Sequence, residues 1–210
     1  DEKDLKISKN VWYVGTDARA AGVMQGELLK NLWKKQSRIL DWNGNGMLDY
    51  VLVEGEESHF DAIRRTSGFL ETGAELPLNQ KGNILAEWKR ELAYEKFAAL
   101  DDEAVQNVEA VICNNDDMAV GAARAAAGVE AYKNTIFLGC GGNVGALEAI
   151  LAGQETMTVA VDGYDVGYRG VEAAVNALNG ETLDKFIASP ATIVSADNAQ
   201  EQMEVVDKKQ

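Results

Sequence analysis

Asp41-Trp42-Asn43-Gly44-Asn45-Gly46-Met47-Leu48-Asp49, running straight into Tyr50-Val51-Leu52-Val53, is the stretch on which the fold of this chain turns. Side-chain oxygens at the first, third, fifth and ninth positions (Asp41, Asn43, Asn45, Asp49) can converge on one hard cation. Met47 at the seventh position offers its backbone carbonyl, and Gly46 at the sixth permits the sharp turn, which is the ligand spacing of a calcium loop. Mg²⁺ suits the stretch less well, because it prefers a small octahedral shell that keeps several waters. An EF-hand would place a bidentate Glu at the twelfth position, and here that position is Leu52. The loop therefore opens onto an apolar strand instead of a helix, which argues against a helix–loop–helix module. Its last ligand has to come from a distant part of the chain. An Asn/Gly-rich surface turn without metal is the competing reading.

Outward from that strand, short apolar runs alternate with helical periodicity, the pattern of an α/β fold with a parallel sheet flanked by helices. Strands are expected at 11–14, 48–53, 110–113, 135–139, 158–161 and 191–194, with a short one at 76–78. Helices are expected at 18–34, 59–71, 85–100, 118–132, 145–152, 166–179 and 199–206. The 166–179 helix is strongly amphipathic and needs a surface to pack on, and Gly180 is placed to cap it. The charged first dozen residues do not resemble the start of an autonomous α/β fold.

A chain of 210 residues with 46% hydrophobic content is long enough for one large domain, or one domain and part of a second. Its net charge of −14 disfavours nucleic acid and anionic membrane surfaces as partners. Its apolar runs are strand-sized, so no transmembrane segment is expected. Cys113 and Cys140 lie in or beside apolar strands and read as buried free thiols, with a disulfide or catalytic role as the alternatives.

Ligands of open parallel sheets bind beyond the carboxyl ends of the strands, and two loops there are unusually polar. The first carries His59, Asp61 and Arg65 at a helix start, with Asp61 and Arg65 one turn apart. A carboxylate beside a guanidinium presents planar acceptors and donors that suit vicinal hydroxyls, although an i,i+4 pair on a solvated face would look the same. The second is Asn114-Asn115-Asp116-Asp117, in which Asp116 or Asp117 reads as a helix cap and leaves Asn115 to face the crevice. Trp88, at a helix start, offers an aromatic face for a sugar ring, or else a half-buried core residue. With one histidine, no nucleophile elbow and no P-loop, the chain has no catalytic constellation, and Gly139-Cys-Gly-Gly142 fits neither dinucleotide fingerprint.

Taken together, Tyr13-Val-Gly-Thr-Asp17, the calcium loop, the stretch from Gly55 to Thr66, Val111-Ile-Cys-Asn-Asn115-Asp-Asp-Met-Ala119 and Gly145-Ala-Leu-Glu-Ala-Ile-Leu-Ala-Gly153 resemble the periplasmic galactose/glucose-binding proteins. These are substrate-binding components of sugar ABC transporters with the type I periplasmic binding protein fold, and the resemblance runs from about Trp12 to the C-terminus. It implies a non-enzymatic, exported protein, periplasmic or extracellular and in some cases lipoprotein-tethered. Its expected ligand is a monosaccharide such as galactose or glucose, and its expected partners are a transporter permease and a chemoreceptor. The expected cofactor is Ca²⁺, held by Asp41, Asn43, Asn45, Met47 and Asp49, with Glu109 as the missing bidentate ligand. The expected sugar contacts are His59, Asp61, Arg65, Trp88 and Asn115. Two positions depart from the family pattern: Gly141 replaces an Asp and Val161 replaces an Asn, with Asp162 beside it as a candidate substitute. A non-hexose ligand, or a structural or signalling lobe without a small ligand, are the alternatives these departures leave open. The resemblance also implies a division in which 1–13 and 162–188 are remnants of a largely missing first lobe. In that division 14–161 and 189–210 form the calcium-bearing, sugar-binding lobe.

Overall fold

The computed structural model describes residues 4–100 and 107–209. Residues 1–3, 101–106 and 210 of the expected lobe segments lie outside the described residues. The elements follow as β1 (Tyr13–Gly15), α1 (Ala18–Leu40), β2 (Leu48–Glu54), α2 (Phe60–Gly73), β3 (Leu78–Leu85), α3 (Arg90–Ala98), β4 (Ala110–Cys113), α4 (Asp116–Ala126), β5 (Ile136–Gly141), α5 (Val144–Leu151), β6 (Met157–Val161), α6 (Gly163–Leu178), β7 (Phe186–Ala188), β8 (Ala191–Ser195) and α7 (Ala199–Lys209).

Six strands form one sheet in the order β3-β2-β4-β5-β6-β8, parallel except for β8, which runs antiparallel to β6. The apolar run of β2 exists because both of its faces are covered. Leu48, Tyr50 and Leu52 pack with Phe69 of α2 and Leu29 of α1 on one side. Val51 and Val53 pack with Met118 and Ala119 of α4 and Phe97 of α3 on the other. Leu147 and Ile150 of α5 join Val194 and Ala199 in a smaller cluster that holds α7 against the sheet. At Gly22 and Gly68 helices α1 and α2 meet backbone to backbone. A Cβ on Gly22 would lie 2.0 Å from the Arg65 carbonyl oxygen, and one on Gly68 would lie 2.2 Å from that of Arg19.

Two helix expectations change. The segment expected to open a helix at 85 is the end of an eight-residue strand, β3, and the helix begins only at Arg90. Asn79-Gln80-Lys81-Gly82-Asn83 looks polar because β3 is the edge of the sheet, paired only with β2. The helix expected at 118–132 stops at Ala126, where Gly128 takes φ +78° and turns the chain.

Strands β1 and β7 form a separate two-stranded parallel ladder, and α6 packs beside β1. Among the residues of α6 only Ala173 is buried, while Tyr164, Tyr168, Val171, Val175 and Leu178 are exposed. The apolar stripe read from the sequence is thus present on a helix that buries little of it.

Candidate ligand crevice and metal loop

The chain passes from β2 to β3 on one side and then crosses to the other side of β2 to form β4, so the sheet has its switch point between β2 and β4. Residues leaving the carboxyl ends of β2, β3 and β4 converge there. His59 caps α2, its Nδ1 accepting from the Asp61 N–H at 3.2 Å, and its ring stands edge-on to Trp88 with centroids 5.0 Å apart. One turn on, Arg65 donates from Nη1 to the Asn114 carbonyl at 2.6 Å, holds its guanidinium 5.7 Å from the Trp88 ring centre and keeps Nη2 4.0 Å from Asp61 Oδ2. Its Nε is buried and, among the described residues, has no hydrogen-bond partner. Trp88 has φ +66° and Glu87 φ +51°, a left-handed pair that swings the indole onto Gly55. A Cβ at Gly55 would fall 2.3 Å from that ring, so only glycine leaves it room.

Asn115 does not behave as the sequence reading expects. It is itself the cap of α4, accepting from the Met118 N–H at 3.0 Å, while its Nδ2 donates to the Trp88 carbonyl at 3.2 Å. Asp116, expected as a possible cap, lies inside the helix and 1% exposed. Its Oδ1 accepts from Thr158 Oγ1 and its Oδ2 from the backbone N–H groups of Gly142 and Asn143. The reason is geometric: the residue in extended backbone just outside the helix does the capping, and that residue is Asn115. Burial holds the Asp116 carboxyl above its ordinary range, against the pull of these donors.

His59, Asp61, Arg65, Trp88 and Asn115 thus form one contiguous group. Tyr13 belongs beside them, although sequence reasoning singled it out only as part of a longer match. Its hydroxyl pKa is raised by burial first, then by the charges of Asp61 and Asp17, with Arg65 opposing. The signal available in the sequence was its place at the start of Tyr13-Val-Gly-Thr-Asp17, directly before the cap of α1 at Asp17. Further along the same strand ends, Gly141 and Val161 border a cavity of about 520 Å³. Asp162, considered as a substitute for the missing amide, accepts from the Tyr164 and Asp165 N–H groups as the cap of α6.

The loop 41–49 sits at the opposite, amino-terminal end of β2. It is stitched by its own groups. Asn43 Nδ2 and Asn45 Nδ2 donate to Asp49 Oδ2 at 3.3 and 3.0 Å, and the Gly46 N–H donates to Asp41 Oδ2. Met47 donates its N–H to Asn45 Oδ1. Glu109, just before β4, is fully buried and reaches this loop, accepting from the Asp49 N–H at 2.8 Å. Asp41 Oδ1 and Glu109 Oε1 are buried and, among the described residues, lack a hydrogen-bond partner. Desolvation, with the Asp49 charge as a lesser contribution, pushes the Glu109 carboxyl up to about 7. Two orphaned carboxylate oxygens beside Asn and Asp side chains are what an oxygen-liganded cation would satisfy. The Asn43 and Asn45 amides direct their NH₂ groups toward Asp49, and among the described residues no three His, Cys, Asp or Glu side chains form a metal-ligand cluster.

Cys113 and Cys140 are free and buried, and burial raises both thiols, Cys140 to about 11. Such thiols are inert at neutral pH.

Comparison with known proteins places these features in context. Residues 2–182 match the family described as "Periplasmic binding protein domain". The D-galactose/methyl-galactoside binding periplasmic protein of Haemophilus influenzae is 31% identical over 213 residues, covering 93% of this chain and 62% of that protein. The D-allose-binding periplasmic protein of Escherichia coli is 28% identical, covering 69% of this chain and 46% of that one. Among solved structures, an ABC transporter solute binding protein from Bacillus halodurans with bound myo-inositol superposes with a TM-score of 0.78 at 26% identity, covering 92% of this chain and 63% of that one. The chain therefore spans less than two thirds of the length of these relatives.

Proposed function

The chain belongs to the periplasmic binding protein domain family with a type I α/β fold, and on that premise we propose that it binds a hexose such as galactose or glucose and delivers it to an ABC transporter. The observation that carries this reading is the convergence of Trp88 with His59, Asp61, Arg65 and Asn115 at the switch point of the sheet. An aromatic face takes the apolar side of a pyranose, while a carboxylate, guanidinium and amide at its edge match hydroxyl donors and acceptors. The relatives' names support a sugar or polyol ligand, an ABC transporter context and a periplasmic location. No described helix is long and apolar enough to cross a membrane. The relatives are binding proteins, which supports a carrier over an enzyme. On the same reading a permease is the transport partner, a chemoreceptor is a second one, and tethering as a lipoprotein is one mode of export.

We propose Ca²⁺ as the structural cofactor, held by Asp41, Asn43, Asn45, the Met47 carbonyl, Asp49 and Glu109. The ion would supply a charged cross-link between loop 41–49 and the residue entering β4. It lies at the far end of β2 from the sugar group, so its effect is on stability and not on sugar contact. Residues 1–13 and 162–188, which carry the first residue of β1, all of α6 and all of β7, are read as parts of a first lobe. The β1–β7 ladder, separate from the large sheet, supports that division.

Isothermal titration of the protein with glucose and with galactose tests the binding claim. The expected result is saturable binding that Trp88→Ala weakens about tenfold, the equivalent of about 1.4 kcal/mol. Equal affinity in wild type and Trp88→Ala would remove Trp88 as the platform.

A further inference from the structure

Resting on the sugar-binding reading, we infer that the cavity bordered by Tyr13, Phe60 and Phe186 is a second saccharide subsite, so that the crevice takes a disaccharide. The cavity measures about 420 Å³, within the range of small-molecule sites. Trp12, Tyr13, Phe60 and Phe186 line it together with Leu5, Val11 and Ala18. Thr16, Asp17, Arg19 and Arg64 add polar groups to the same wall.

Continuity with the Trp88 group comes from the first turns of α2 and from Tyr13. His59, Asp61 and Arg65 belong to that group, while Phe60 and Arg64 line the cavity. Residues 60 and 64 are one turn apart, as are 61 and 65, so the two pairs form adjacent rows on one helix surface. Arg64 lies 5.2 Å from the Phe60 ring centre, as Arg65 lies 5.7 Å from that of Trp88, so each row sets a guanidinium against an aromatic ring. Tyr13 completes the join, because it lines the cavity while its hydroxyl feels the charges of Asp61 and Arg65.

The wall has the chemistry of a sugar site. Tyr13, Phe60 and Phe186 are exposed, and Tyr13 stacks on Phe186 with ring centroids 5.0 Å apart. Exposed rings offer flat apolar faces to the C–H side of a pyranose. Arg19 gives Nη2 to Glu71, and a guanidinium has five N–H donors, so its fork can serve hydroxyls as well. Asp17 caps α1 through Oδ1, and a carboxylate accepts at both oxygens. A purely hydrocarbon ligand would take water from these groups and return no partner, whereas the hydroxyls of a second sugar ring replace it.

The test is titration calorimetry on the 210-residue protein in calcium, comparing glucose and galactose with lactose, melibiose, maltose and cellobiose. At least one disaccharide should bind about tenfold more tightly than either monosaccharide, which corresponds to about 1.4 kcal/mol. Phe60→Ala and Phe186→Ala should each remove that gain and leave monosaccharide affinity unchanged, and either one supplies the answer should the other fail to fold. Monosaccharides that bind as tightly as every disaccharide, or a gain that survives in both variants, would overturn the second subsite and leave the hexose reading standing. No binding by any sugar, in protein that still melts cooperatively, would overturn both.

Discussion

Glu155 lies just ahead of β6 with both carboxyl oxygens buried and, among the described residues, without a hydrogen-bond partner. Its Oε1 and Asp116 Oδ1 flank the point where a Cβ on Gly139 would sit, at 2.3 and 2.4 Å, so two acids share one buried site. Burial first, and the Asp116 charge second, push the Glu155 pKa up to about 10 from its ordinary 4.5. The folded protein then keeps a proton that the unfolded chain releases, so the contribution of this group to stability is full below about pH 4.5 and is lost steadily as the pH rises toward 10. Glu155→Gln should flatten the fall in Tm between pH 5 and pH 9, and parallel slopes for variant and wild type would contradict this. A second carboxylate gives a sharper test of the metal loop. Glu109→Gln should lower Tm in calcium and abolish the response to chelator, and a chelator effect of undiminished size would exclude Glu109 as a ligand. At this scale the sequence was informative about residue types and less so about their duties. The oxygen pattern of 41–49 and the aromatic and charged residues of the crevice were legible from spacing and resemblance. The capping role of Asn115, the nearness of Tyr13 to Asp61 and the buried state of Glu155 were not, since each depends on contacts between distant segments.

Between elements, the position of Arg65 is set by a crossing of backbones. Gly22 of α1 and Gly68 of α2 let the helices approach until carbonyl oxygens occupy the space of a side chain. Gly22→Ala should therefore cost about 1–3 kcal/mol by overpacking. Because the clash is with the Arg65 carbonyl itself, it should weaken sugar binding as well as lower Tm; unchanged Tm and affinity would show that the crossing is not tight. The strands were readable where both faces are buried, and β4 was expected and found at Ala110–Cys113. The reading misplaced β3, expecting only a short strand at 76–78, and missed β7. The first is a polar edge strand, and the second has only three residues, with Phe186 and Ala188 exposed. An edge strand lacks the continuous apolar run that marks a buried one, and a three-residue strand is too short to show a period. The shift of the helix expected at 85 to Arg90 follows from the same strand, which uses up Leu85 before the left-handed turn at Glu87 and Trp88.

At the scale of the whole molecule the six-stranded sheet separates two ends to which different tasks are proposed. The carboxyl end of β2 and β4 gathers the proposed sugar-binding residues, while the amino end carries the loop that Glu109 joins to β4. A cation at that end would tie together segments 60 positions apart, since Glu109 and Asp49 already meet across that distance. Closing so long a loop is where a metal clip gains most in principle, although native strain can reduce the gain. The apolar face of α6 was legible as a helix that needs a partner surface, and the structure shows it largely exposed beside β1. The central claim, a calcium-stapled sugar-binding fold, is tested most directly by thermal unfolding of the protein in calcium, in EGTA, and in calcium with glucose or galactose. The account predicts a large loss of Tm in EGTA and a further rise above the calcium value when sugar is added. Identical melting in all three conditions would contradict it.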